Sequence, residues 1–157
     1  PPACLHRPRP QVAGPGSVIA APSLFCPMSC PSCGGERLAV PVPEKHRPSL
    51  PGETAAVAVC RVCLAMEPAD ATPESVPDLT VLDDAIPNNN EAAVPLVLLV
   101  GLLNSLALHR EEITALLELV ERAGTDPLLA VDRLADSYGA DAHADLGRRR
   151  HQLEQLL

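Results

Sequence analysis

The chain has 157 residues, 46% of them apolar, a mean hydropathy of +0.11 and two aromatic side chains, Phe25 and Tyr138. That length suits one ordinary domain or two very small ones, and any core must be built from Leu, Val and Ala. Twelve basic against twenty acidic residues leave a formal charge of −8. This disfavours nucleic acid and anionic membranes as partners, because phosphate binding needs a basic face.

Residues 1–27 contain Arg7 and Arg9, no acid, and seven of the eighteen prolines. From Met28 onward ten basic residues face twenty acids, a charge of −10. Met28 therefore marks a change of composition. Residues 1–27 read either as a disordered Pro-rich leader or as upstream sequence wrongly included in the reading frame. A signal peptide fits poorly, since the apolar stretch from Val12 to Phe25 is broken by Gly14, Pro15, Gly16 and Pro22.

Residues 28–67 read as a first module. Cys30-Pro31-Ser32-Cys33-Gly34-Gly35 is a compact turn, whose glycines allow the positive φ that points N–H groups at sulfur. Arg37–Val42 is a short extended segment, and Pro41 assigns it to a sheet edge. Residues 43–53 are a polar loop in which His46 reads as a solvated surface side chain. Residues 54–62 are a second strand that delivers Cys60 and Cys63. Residues 68–90 are an acidic linker, interrupted by Pro68, Pro73, Pro77 and Pro87, with a short ordered piece at Leu79–Ile86.

Residues 91–157 read as a helical domain. Asn88, Asn89 and Asn90 offer amide oxygens for a cap, and Pro95 is placed in the first turn. Leu96, Leu99, Leu103 and Leu106 keep a three/four spacing, which resumes at Ile113, Leu117 and Val120. This is one long helix, or two with a break near Leu108–Arg110. Residues 92–108 are too short and too interrupted for a membrane span and read as a helix buried in a small bundle. Gly124 stops the pattern, Asp126-Pro127 starts the next helix, Gly139 ends it, and Asp141 is taken as the cap of the last.

Chemistry concentrates in two Cys-x-x-Cys pairs, Cys30/Cys33 and Cys60/Cys63. The twenty-six residues between them suit an antiparallel hairpin that brings the pairs together. Four converging thiolates are the usual way to hold structural zinc, in a closed site with no position left for water. Arg37 and Arg61 are expected to offset the cluster's formal −2. About 35 residues cannot bury enough apolar surface to fold unaided, so the metal supplies folding energy. Rubredoxin-like iron uses the same ligands, but such sites normally sit among aromatics, and residues 28–67 have none. Thioredoxin-type redox chemistry needs a Cys-x-x-Cys at a helix start, and both pairs here lie beside extended sequence. Cys4 and Cys26 have no partner spacing.

Other constellations read as surface. Arg148-Arg149-Arg150-His151 is taken as a solvated face near a helix C-terminus. Asp132, Asp136, Asp141, His143 and Asp145 are taken as acidic surface. The chain has no P-loop, dinucleotide fingerprint, Gly-x-Ser-x-Gly or His-Glu-x-x-His, so no catalytic residue is assigned.

The knuckles Cys-Pro-Ser-Cys-Gly-Gly and Cys-Arg-Val-Cys resemble those of a zinc ribbon. By that resemblance Cys30, Cys33, Cys60 and Cys63 are the zinc ligands. Leu64 departs from the pattern, since ribbons often have Gly there, and weakened N–H to sulfur geometry is expected on that side. The whole of residues 28–157 is similar to small uncharacterised zinc-ribbon proteins of halophilic archaea, a likeness that implies no activity. Nine Arg and one Lys among the cations after Met28, with surplus carboxylate, fit such a salt-adapted surface. The expected protein is α+β: an N-terminal zinc ribbon, an acidic linker and a C-terminal helical bundle. It is expected to be cytoplasmic and non-enzymatic, a protein–protein adaptor or regulator that engages another protein or itself through its helices. A nucleic-acid-associated regulator and an iron redox carrier are the alternatives.

Overall fold

A computed structural model describes residues 29–157. The expectations for the leader, Cys4 and Cys26 lie outside them. A three-stranded antiparallel sheet is followed by a helical region. β1 (Arg37–Pro41) pairs with β2 (Ala56–Cys60), and β2 pairs with β3 (Met66–Pro68). β2 is central and every residue of it is buried, so it reads as a continuous apolar run. Pro41 lies on an edge strand, where its missing N–H breaks no ladder bond. β3 was not expected. Its three residues include a proline and carry no period-2 signal, and its place comes from packing: Met66 lies over Gly101, where a Cβ would approach the Met66 sulfur to 2.5 Å.

The helices are α1 (Asn90–Leu102), α2 (Arg110–Arg122), α3 (Pro127–Tyr138) and α4 (Leu146–Glu154). α1 and α2 are separate, joined through a 3-10 turn at Leu103–Ser105. In α1 every residue from Ala92 to Val100 is buried. A helix apolar on all sides belongs inside, and α1 lies against β3 and α2, while α3 and α4 pair with each other. Among the described residues no helix is long and apolar enough to cross a membrane. One buried cluster joins Val40 and Val57 of the sheet, Leu79, Leu82 and Ile86 of the acidic segment, and Leu98, Leu117, Leu134 and Leu153 of the helices.

Several caps follow the sequence reading. The Asn89 side chain accepts from Ala92 N–H, and Asp126 accepts from Leu128 and Leu129 N–H with Pro127 at the first helical position. Gly124 and Gly139, at φ +85° and +51°, take the chain out of α2 and α3. Three placements need correction. Pro95 lies past the first turn of α1, so the Glu91 carbonyl lacks its i+4 donor. The cap of α4 is Asp145, which accepts from Arg148 N–H, whereas Asp141 sits in the preceding 3-10 turn. The arginine run therefore occupies the first two turns of α4, where the helix dipole does not favour it. It is held instead by side chains: Arg149 donates to Gln152 and to the Asn104 carbonyl, and Arg150 pairs with Glu154 at 2.9 Å.

Candidate metal centre

The first knuckle precedes β1, and the second leaves the end of β2. In the β1–β2 register Arg37 lies opposite Cys60, so the hairpin brings both knuckles to one end of the sheet. Their backbones are duplicates. Cys30 N–H donates to Gly35 O and Gly34 N–H to Cys30 O, both at 2.7 Å. Cys60 N–H donates to Ala65 O at 2.9 Å and Leu64 N–H to Cys60 O at 3.0 Å. A backbone hydrogen bond also joins the halves, from Arg61 N–H to Glu36 O at 2.9 Å.

The amide pattern around the sulfurs is duplicated too. Cys30 Sγ accepts from Ser32 and Cys33 N–H, and Cys60 Sγ from Val62 and Cys63 N–H. Cys33 Sγ accepts from Gly35 N–H, and Cys63 Sγ from Ala65 N–H. At Leu64 the turn itself keeps the shape of the first knuckle. Leu64 adopts φ +61°, close to the +76° of Gly34 in the other knuckle, and Ala65 N–H still reaches sulfur. A left-handed non-glycine residue costs about 1–2 kcal/mol. Burying a leucine returns about 1.5–3 kcal/mol, and Leu64 is only 5% exposed, so burial wins. Gly35 answers a different need. A Cβ there would lie 2.7 Å from Val62 Cγ2 and 3.1 Å from Cys60 Sγ, so the knuckles approach this closely only over a glycine.

The four sulfurs lie within 4.8 Å of one another. Cys30 and Cys63 Sγ are 3.7 Å apart, and Cys33 and Cys60 Sγ are 3.4 Å apart. A tetrahedron with Zn–S bonds of about 2.3 Å has edges of about 3.8 Å, so the quartet fits a single divalent ion. Cys30, Cys60 and Cys63 are buried and Cys33 is exposed.

The thiols do not ionise alike. Burial pushes Cys30 up, but the Cys33 and Ser32 amides outweigh it and bring the thiol down to about 7. Burial pushes Cys60 up, and it pushes Cys63 up further, with neighbouring sulfurs adding to the rise. One sulfur thus accepts charge readily while the buried pair resists it. Only a cation inside the quartet makes four thiolates favourable together. Arg37 pairs with Glu67 and Arg61 with Glu36, each at 3.0 Å.

The second knuckle is strapped to the helices. His143 N–H donates to the Cys63 carbonyl at 2.6 Å. The Tyr138 hydroxyl donates to the Leu82 carbonyl, with the Arg61 carbonyl 3.3 Å away. Burial raises the Tyr138 pKa, with Asp83 adding to the effect, so the phenol keeps its proton and remains a donor. Sequence reasoning missed both contacts; the only hint was that Tyr138 is the sole aromatic after Met28.

His46 is not a surface residue. It is 2% exposed, its Nδ1 has no hydrogen-bond partner, and burial followed by the charge of Lys45 lowers its pKa. It does not join the sulfurs. The acidic group of the C-terminal region does not converge: Asp132 lies 3.4 Å from Arg150, Asp145 caps α4, and His143 Nε2 meets Asn104 Nδ2 at 3.2 Å. Among the described residues the one converging group of metal-binding side chains is the cysteine quartet.

Residues 29–157 match the Family of unknown function (DUF6276). The chain belongs to that family. No curated protein matches it, and no solved structure does. The quartet and both of its knuckles fall inside the DUF6276 match.

Proposed function

We propose that this DUF6276 chain is a non-enzymatic, structural-zinc protein of the cytoplasm that serves as a protein–protein adaptor or regulator. In this reading residues 28–67 are a zinc ribbon, residues 68–90 its acidic linker, and the helices of residues 91–157 complete the surface. The observation that carries it is the closed quartet. Four sulfurs at tetrahedral spacing fill zinc's coordination and leave no position to activate water. A second concavity, a cleft of about 210 Å³ between β3 and α1, contains Glu67 and His109. Glu67 is ion-paired with Arg37, and His109 lies 3.7 Å from Glu112.

A contact surface is supported beside the second knuckle. Val62 is 50% exposed and Val81 45%. Each adjoins a residue whose carbonyl meets the Tyr138 hydroxyl, Arg61 and Leu82 respectively. The likeness to halophilic zinc-ribbon proteins and the −10 charge after Met28 favour a protein partner over nucleic acid. Iron is the second reading, because backbone N–H groups that donate to the sulfurs stabilise an iron tetrathiolate as well as a zinc one.

Metal analysis of protein purified from its native cells tests the first part. One zinc per chain and no colour support it, whereas a red protein with visible absorbance supports iron. Val62→Asp with Val81→Asp tests the second part. The adaptor reading expects a stoichiometric partner, isolated in molar salt with the unaltered chain, to be lost while zinc is kept. A partner retained by the double variant contradicts this placement of the contact surface.

A further inference from the structure

The quartet is uneven in two respects. Cys33 is exposed, while Cys30, Cys60 and Cys63 are 3%, 0% and 3% exposed. Across the knuckles the Cys33 and Cys60 sulfurs are 3.4 Å apart, against 3.7 Å for Cys30 and Cys63. Of these two cross-knuckle contacts the shorter joins the accessible sulfur to a buried one. That neighbour belongs to the knuckle held by Tyr138 and His143.

We propose that Cys33 is an oxidative modification site for peroxide-class oxidants. Cys60 resolves the modified sulfur, and the resulting disulfide releases the metal and loosens α3 and α4 from the second knuckle. This rests on the metal reading above. Reactivity toward peroxide follows thiolate character and access together. A bound cation keeps all four sulfurs as thiolates, so access selects Cys33.

The Cys33 thiolate attacks the peroxide, forming an S–O bond and breaking O–O, and hydroxide leaves. Cys33 is then a sulfenic acid. The Cys60 thiolate attacks that sulfur, forming S–S and breaking S–O, and a second hydroxide leaves. Two thiolates have supplied two electrons, peroxide has accepted them, and two solvent protons convert the hydroxides to water. The sulfurs must close from 3.4 Å to about 2.05 Å. The ion keeps only Cys30 and Cys63 and is lost. Closure pulls on Cys60, and through it on the adjoining Arg61 carbonyl, while Cys63, whose carbonyl accepts from His143 N–H, loses its metal.

The molecule carries its own reporter, since Tyr138 is the only tyrosine and there is no tryptophan. The experiment uses the full metal-loaded chain with Cys4→Ser and Cys26→Ser, so that the quartet supplies every thiol. Hydrogen peroxide is added below one equivalent. Released metal is read with a chromogenic chelator, disulfides by peptide mapping after alkylation, and the strap by Tyr138 emission and amide exchange over residues 139–157. The expected result is one metal released per peroxide consumed, Cys33–Cys60 as the first linked pair, and emission and exchange changing in step with release. Reductant plus metal restores the starting state. Cys33→Ser slows release about tenfold or more. Should that variant fail to hold metal, the disulfide map of the unaltered quartet decides. A first link within a knuckle, Cys30–Cys33 or Cys60–Cys63, overturns the inference and leaves the metal reading standing. Release without any change at Tyr138 or residues 139–157 likewise overturns it. A chain that never holds stoichiometric metal overturns both.

Discussion

The two knuckles share one hydrogen-bond diagram and differ in everything around it. The first has glycine in the left-handed position, an exposed cysteine and a thiol brought down to about 7. The second has leucine in that position, two buried cysteines whose pKa values are raised, and bonds to the C-terminal helices. Local backbone geometry thus suffices to shape a metal half-site, while packing decides how costly that half-site is to charge and what it is attached to. The first half admits solvent, and the second ties the quartet to the core.

The largest test removes one sulfur from each half. Cys60→Ser is expected to abolish stoichiometric metal binding. Because the second knuckle is bonded to the loop before α4, sheet and helices should lose stability together, by several kcal/mol. Cys33→Ser should weaken metal binding and leave the helices intact. Metal stoichiometry and thermal circular dichroism distinguish the two. Equal effects at the two positions would erase the asymmetry.

Leu64→Gly sharpens the comparison. It relieves about 1–2 kcal/mol of left-handed strain but removes a buried leucine, and truncation of a buried leucine costs about 2–5 kcal/mol. Net destabilisation of about 1–3 kcal/mol in urea unfolding is expected. A stabilised variant would show that strain, not burial, governs the second knuckle. Gly34→Ala is the counterpart. The added Cβ meets nothing within 4 Å, so the cost is the φ of +76° alone, about 1 kcal/mol, with metal retained.

The smallest effect is pH dependence in the metal-free chain. Cys30 is depressed from 9.0 to about 7, so its contribution to stability is complete above pH 9 and is lost as pH falls through 7. Cys60 and Cys63 are raised above 9.0, so the folded state resists their ionisation and stability is lost as pH climbs past 9. Urea midpoints of metal-free protein should therefore rise from pH 7 to 9 and fall beyond it. Bound metal should remove the alkaline fall. Below pH 6.5 a separate loss comes from His46, whose neutral form the fold prefers. A flat profile from 7 to 9 would contradict the inequality between the knuckles.

Much was legible in the sequence because its causes are local. Two cysteines separated by two residues define a knuckle, Asn89 and Asp126 carry the side chains a helix start needs, and Gly124 and Gly139 carry the freedom a helix end needs. The misses share a different cause. β3 is three residues with a proline, Asp141 and Asp145 look equally able to cap, and His46 is polar in a polar stretch. Each was decided by what packs against it. The Glu44–Ser49 turn, for instance, lies on α2 and takes His46 inside with it.

By itself the chain determined the cysteine quartet, the knuckle turns, the two longer strands and most helix boundaries, because these depend on backbone preferences and residues a few positions apart. Only the tertiary structure decided that Cys33 alone among the four cysteines meets solvent, that Leu64 can stand in for glycine, and that Tyr138 and His143 hold the second knuckle. Those outcomes depend on burial and on contacts between residues as many as 80 positions apart, where neither spacing nor propensity carries information.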